Sequence, residues 1–197
     1  NQKTVEGNYH KIFSKIALNL LGGYFTDNGN FSYTKDSVEY ERKNNDFKRF
    51  YYAINGKVQI NQRSNFHVFL MNSDQKRGSA GSVIWPTLSA RREDKLTVGN
   101  LVYNLLHKNG YSSVLLNTRK SIDNYNNPES FFLTKSEHAI NSNSFRFNHY
   151  NNILDNLTTK IMYELKGEKI ESTDVGNQDR LTNSIAGEVN ISIIDDI

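Results

Sequence analysis

Asp74 and, nineteen residues on, the run Glu93-Asp94-Lys95 form the arrangement in this chain best equipped for chemistry. Lys76, Arg77, Arg91 and Arg92 lie close to them in sequence and carry the donors needed to meet phosphate oxygens. The loop Gln75-Lys76-Arg77-Gly78-Ser79-Ala80-Gly81-Ser82 follows Asp74, and its glycines let backbone N–H groups approach an anion. It lacks the G-x-x-x-x-G-K-[ST] spacing and reads first as a flexible connection. Asp94 also has a structural assignment. It precedes a helical pattern, where a carboxylate caps the first turn and Glu93 sits near the positive end. His10, His67, His107, His138 and His149 are scattered, with no i,i+4 pair of the kind that binds zinc from a helix. Glu137-His138 is an isolated dyad, and no G-x-S-x-G elbow occurs.

The order Asp74, then Glu93-Asp94-Lys95, resembles the PD-(D/E)xK nuclease signature. The resemblance implies that Asp74 and Glu93 hold a divalent metal through oxygen ligands while Lys95 helps polarise the attacking water. In that family the Glu-x-Lys triplet sits on an apolar central strand, whereas here it follows Ser89-Ala90-Arg91-Arg92. Gln75-x-x-Gly78-x-Ala80 is a degenerate likeness of the coenzyme A loop of acetyltransferases. The layout of the segment 65–118, ending its helical pattern in Lys108-Asn109-Gly110-Tyr111, is similar to small bacterial envelope lipoproteins. It implies a scaffold that docks into a larger machine.

Composition narrows the class. The 197 residues suffice for one domain, and 11 Tyr plus 11 Phe suit a sheet. Interspersed charges summing to +3 argue against non-specific nucleic-acid binding, which uses a basic face or run. The absence of cysteine excludes disulfides and thiolate zinc sites. No run approaches the ~18 apolar residues of a spanning helix. The chain begins at Asn1 rather than Met, which leaves a removed leader or an unseen N-terminal membrane anchor open.

Two or three helices are expected, from three helical patterns. The first follows Asn8 with Tyr9, Ile12, Phe13, Ile16 and Leu20 on one face and stops at Gly22-Gly23. The second runs from Leu96 to Asn109 with Val98, Leu101, Val102, Leu105 and Leu106 inward, and the third from Asn148 to Lys166. Strands are expected at Phe31–Tyr40, Phe47–Ile54, Phe66–Met71 and Tyr111–Asn117, with Asn55-Gly56 as a tight hairpin turn. Residues 119–145 and 168–186 read as polar loops, the first with an apolar island at Phe131-Phe132-Leu133.

The resulting expectation is an α+β domain: an antiparallel meander plus a β-α-β unit in one mixed sheet, with helices packed on one face. It spans residues 1–186, and a terminal strand in 187–197 presents Val189, Ile191 and Ile193 to a neighbour or partner. The functional expectation is a non-catalytic structural or partner-binding component of an exported, envelope-located assembly, acting through protein contacts or self-association and without a cofactor. The alternative is the metal-dependent nuclease built on Asp74, Glu93 and Lys95.

Overall fold

The computed structural model describes residues 2–82, 86–131 and 135–192. Among these residues there is no helix, which overturns the α+β expectation and its β-α-β unit. The strands are β1 (Gln2–Phe13), β2 (Ile16–Asp27), β3 (Phe31–Lys35), β4 (Val38–Arg42), β5 (Phe47–Asn61), β6 (Ser64–Gly78), β7 (Arg91–His107), β8 (Gly110–Asn126), β9 (Lys135–Leu154), β10 (Leu157–Ser172) and β11 (Gln178–Ile191). Nine of them form one sheet in the order β1-β2-β5-β6-β7-β8-β9-β10-β11, and β3 with β4 make a separate hairpin. Every pairing is antiparallel between neighbours, an up-and-down meander.

Each expected helix is a length of extended chain. The first is β1 and β2 joined at Ser14-Lys15, the second is β7, and the third is the end of β9 and most of β10. Their apolar residues fit a period of two as well as one of 3.6. Pairing with neighbouring strands, on both sides for all of these segments but the edge strand β1, gives the backbone N–H and C=O groups partners, and that settles the choice. Asn55-Gly56 is not a turn. It lies mid-strand in β5, with Asn55 opposite Phe69 and Gly56 opposite Val68. The expected polar loops shrink likewise, because β8 runs on to Asn126, β9 begins at Lys135, and β10 and β11 leave only 173–177 between them. Phe132 and Leu133 of the apolar island lie outside the described residues.

The two ends of the sheet differ. At one end the strands are joined by two-residue turns, 14–15, 62–63, 108–109 and 155–156. At the other the connections are 28–46, which carries the β3–β4 hairpin, then 79–90, 127–134 and 173–177.

Among the described residues no second layer covers the sheet. The only buried apolar residues among those described are Ala80 and Ala90, both in the long connection after β6, and no large side chain is fully buried. The accessible surface is 13,898 Å². A compact monomer of this mass exposes ~9,500 Å². The excess is the two faces of a single-layer sheet.

The register is directly testable in a cysteine-free chain. A Cβ at Gly56 meets no atom within 4 Å, so cysteine fits there. Gly56→Cys with Val68→Cys should therefore join through a short methanethiosulfonate cross-linker, seen as an internal cross-link by mass spectrometry. Gly56→Cys with Phe69→Cys, whose side chains leave opposite faces, should not.

Candidate functional site

Residues directly opposite one another on paired strands share a face, so the register sorts the side chains. On one face a row of Phe13, Ile16, Val58, Phe66, Tyr103, Val114, Phe147, Tyr163 and Ile185 crosses all nine strands. The next row adds Leu18, Val68, Leu101, Leu116, Phe145 and Leu165. Many of these side chains are open to solvent, Leu116 at 46% and Ile185 at 79%. The apolar band lies towards the two-residue turns and ends in charge. Counting from that end, the first charged residues on this face are Lys11 in β1, beside Leu18 within the band, then Lys48 in β5, Asp74 in β6, Lys95 in β7, Lys120 in β8, Glu137 in β9, Lys169 in β10 and Asp179 in β11. Between β5 and β8 this boundary drops by two rows, an oblique step across these four strands, and at Glu137 in β9 it returns to the row of Lys48. Tyr24, Phe50 and Tyr52 stand at its border beside Lys48, with Phe50 and Tyr52 6.0 Å apart.

The opposite face is predominantly polar and internally paired. Arg92 Nε donates to Asp123 Oδ1 at 3.0 Å and to Asp94 Oδ1 at 3.2 Å. Arg77 lies 3.6 Å from Asp94, and Gln75 donates to the same carboxylate at 3.4 Å. Arg146 pairs with Glu164 at 3.0 Å, Lys166 with Glu168 at 2.8 Å, and Arg180 also reaches Glu168. His138 lies 2.8 Å from both Ser136 Oγ and Ser172 Oγ, and 3.4 Å from Asp174. Asn104 donates to Asn65 at 3.1 Å, and Asn117 donates to Asn100. Met71 and Val98, opposite one another, interrupt the polar surface, as do Val102 and Leu115.

The residues singled out for chemistry divide between these faces. Asp74, Glu93 and Lys95 share the apolar band's face, in its charged margin, and Asp74 is directly opposite Lys95. Glu93 is committed to two ammonium groups, Lys76 at 3.1 Å and Lys95 at 3.2 Å. Among the described residues no group of three or more His, Asp or Glu is placed to hold a metal ion. Asp94 points to the other face and caps no helix, because Leu96 continues the strand. Val189 and Ile191 lie in β11 opposite Thr159 and Leu157 of the chain's own β10, while Ile193 lies outside the described residues. The polar-face network went unread in the sequence, although Gln75-x-Arg77, Arg92-x-Asp94 and Glu164-x-Lys166-x-Glu168 carry its signal, a polar period of two.

The long connections are tied to one another. Asn44, at φ +56°, donates through Nδ2 to the carbonyls of Thr87 at 3.0 Å and Ala90 at 2.8 Å. Its own backbone packs so closely on Gly78 that a Cβ there would lie 2.2 Å from the Asn44 carbonyl oxygen. Gly78 N donates to the Asp46 carbonyl at 2.8 Å, and Arg91 grips the Asp46 carboxylate with two bonds of 2.5 and 2.8 Å. Glu129 accepts from Leu88 N at 3.0 Å and Ser89 Oγ at 2.6 Å, which joins the connections 79–90 and 127–134. The Arg91 hydrogen bonds hold the Asp46 carboxyl below its usual range, against a smaller opposing effect of burial. Glu129 is also lowered, first by the Ser89 hydroxyl and then by the Leu88 N–H.

No family model matches this chain, and no curated protein matches it.

The Asp46–Arg91 clamp carries a pH signature. A carboxyl with a lowered folded-state pKa contributes stability above its unfolded value, ~3.9, and loses it as pH falls through the folded value. Asp46→Asn should thus melt below the wild type at pH 7, and the gap between their thermal midpoints should close below pH ~3.9. An equal gap at both pH values would show that the clamp acts through shape alone.

Proposed function

We propose that this chain builds part of the wall of a membrane-embedded antiparallel β-barrel, a non-catalytic component of a cell envelope of the outer-membrane kind. The observation that carries the reading is the apolar row that crosses all nine strands of a sheet with no core behind it. A continuous apolar surface of this extent requires a cover. Hydrocarbon is the cover that suits a band one side chain deep, bounded by charge along one margin and backed by a polar, hydrogen-bonded face.

Other features agree with it. Strands of 12 to 20 residues in the main sheet exceed the ~9–11 that a tilted strand needs to cross a bilayer. Two-residue turns at one end and long connections at the other are the asymmetry of such barrels. Tilted strands place the border of a flat membrane obliquely across their ladders, as the charged margin runs from β5 to β8. No helix among the described residues is long and apolar enough to cross a membrane, a criterion that does not bear on strands. Among the described residues the outer edges of β1 and β11 carry no ladder partner, and pairing at these two edges is what closes the wall. In this reading lipid, rather than a docking protein, is the main partner of the apolar face. Glu93, paired with Lys76 and Lys95, belongs to the charged rim rather than to a metal site.

The test is face-resolved. Leu101 and Asn100 are adjacent and leave opposite faces. After refolding into lipid vesicles, Leu101→Arg should lose ~2–4 kcal/mol, the cost of Arg on a lipid-facing strand near mid-membrane. Asn100→Arg, on the water-facing side, should stay within about 1 kcal/mol of wild type. Equal losses, or a chain that fails to partition into vesicles, would refute the proposal.

A further inference from the structure

On the polar face, β5 to β9 enclose a depression of about 590 Å³ whose charged lining residues include Arg49, Asp94, Arg119 and Asp123. This volume lies within the range of small-molecule sites, ~300–1,000 Å³. Its carboxylates are already neutralised, Asp94 by Arg92 and Arg77, and Asp123 by Arg92. Its two other guanidinium groups are not. Arg49 donates from Nε to the Ser73 hydroxyl at 3.3 Å and stacks 5.1 Å over Tyr51, which leaves both terminal nitrogens without a carboxylate. Arg119 has no hydrogen-bond or ion-pair partner among the described residues.

We propose that this depression binds a polyanionic solute, with Arg49 and Arg119 each taking one of its oxyanionic groups. The inference rests on the preceding reading, in which this face meets the water-filled interior of the barrel. Arg49 is on β5 and Arg119 on β8, three strand spacings apart across the sheet, ~14 Å at ~4.8 Å each, and four residues apart along it, ~13 Å at ~3.3 Å each. A single small anion cannot reach both guanidinium groups, whereas a solute with two or more carboxylate or phosphate groups spans them. Arginine suits the role because its planar fork donates two parallel bonds to one oxyanion and does not lose its charge near neutral pH. Ser73, Ser121 and Gln75 line the same depression and supply neutral donors.

The test is calorimetric titration of the full 197-residue chain, refolded in detergent micelles, with tripolyphosphate, citrate and acetate. Tripolyphosphate or citrate should bind saturably and acetate should not, and the preference between the first two distinguishes a phosphorylated from a carboxylated ligand. Arg49→Gln and Arg119→Gln should each weaken binding about tenfold or more, the cost of losing one charge-assisted hydrogen-bonding partner. Lys57→Gln, on the same face but outside the depression, should leave it unchanged. Absence of binding by a chain with intact strand circular dichroism would overturn the proposal, as would equal weakening by Lys57→Gln. Failure of the barrel reading is separate, since it appears in the vesicle partitioning of Leu101→Arg and Asn100→Arg and not in this titration.

Discussion

The backbone ladder between neighbouring strands is what the rest of this structure depends on. In most domains a sheet is held by what packs on it, and the hydrogen bonds only direct that packing. Here none of the described residues forms a layer on either face, so each strand is positioned by the strands beside it. The ladders are correspondingly long and regular. β7 pairs with β8 without interruption from Arg91 opposite Asn126 to His107 opposite Gly110. Irregularities are confined to the turn end, at Gln59/Asn61 in β5 and Leu157/Thr158 in β10. A register slip by one residue would exchange the two faces of a strand, which would put Arg146 and Glu164 into the apolar band.

Because the faces differ so sharply, the surroundings complete the structure. In water the apolar band has no favourable burial, and a lone sheet of this kind exposes both its side chains and its edges. In hydrocarbon the same band is solvated, the interstrand hydrogen bonds strengthen because no water competes for them, and unsatisfied polar groups become prohibitive. The cross-strand polar pairs that remain on the apolar face follow this rule: Asn72 donates to Thr97 at 3.0 Å, and Thr118 donates to Asn143 at 2.8 Å. Each satisfies its neighbour across one strand spacing.

The long connections add stability of another kind. The three segments tied by Asn44, Asp46 and Glu129 follow one another along the sheet edge, and the side chains of Asn44 and Glu129 bond backbone groups of the segment beside their own. A connection anchored at several points loses less on ordering than a free one, because each bond is made by a residue already held by the last. This end of the sheet is consequently built and specific, while the turn end is minimal.

The sequence by itself determined that this protein lacks disulfides and thiolate metal sites, that no apolar run makes a spanning helix, and that several segments are strands. Phe66–Met71 and Tyr111–Asn117 were legible because β-branched and aromatic residues crowd them. Only the tertiary structure decided the all-β class and the two faces. From Leu96 to Asn109, Leu101, Val102, Leu105 and Leu106 satisfy a helical stripe, while Leu101, Tyr103 and Leu105 satisfy a strand face equally well. Local periodicity cannot separate the two when apolar residues such as Val98, Val102 and Leu115 also occupy the polar face. Asn55-Gly56 has the composition of a turn, yet the strands on either side hold it extended. Asp94 has the position of a helix cap, yet its carboxylate is taken by arginines from its own strand and the next one. In each case the deciding interactions join residues far apart in the chain, and pairing partners at that distance are not written in the local sequence.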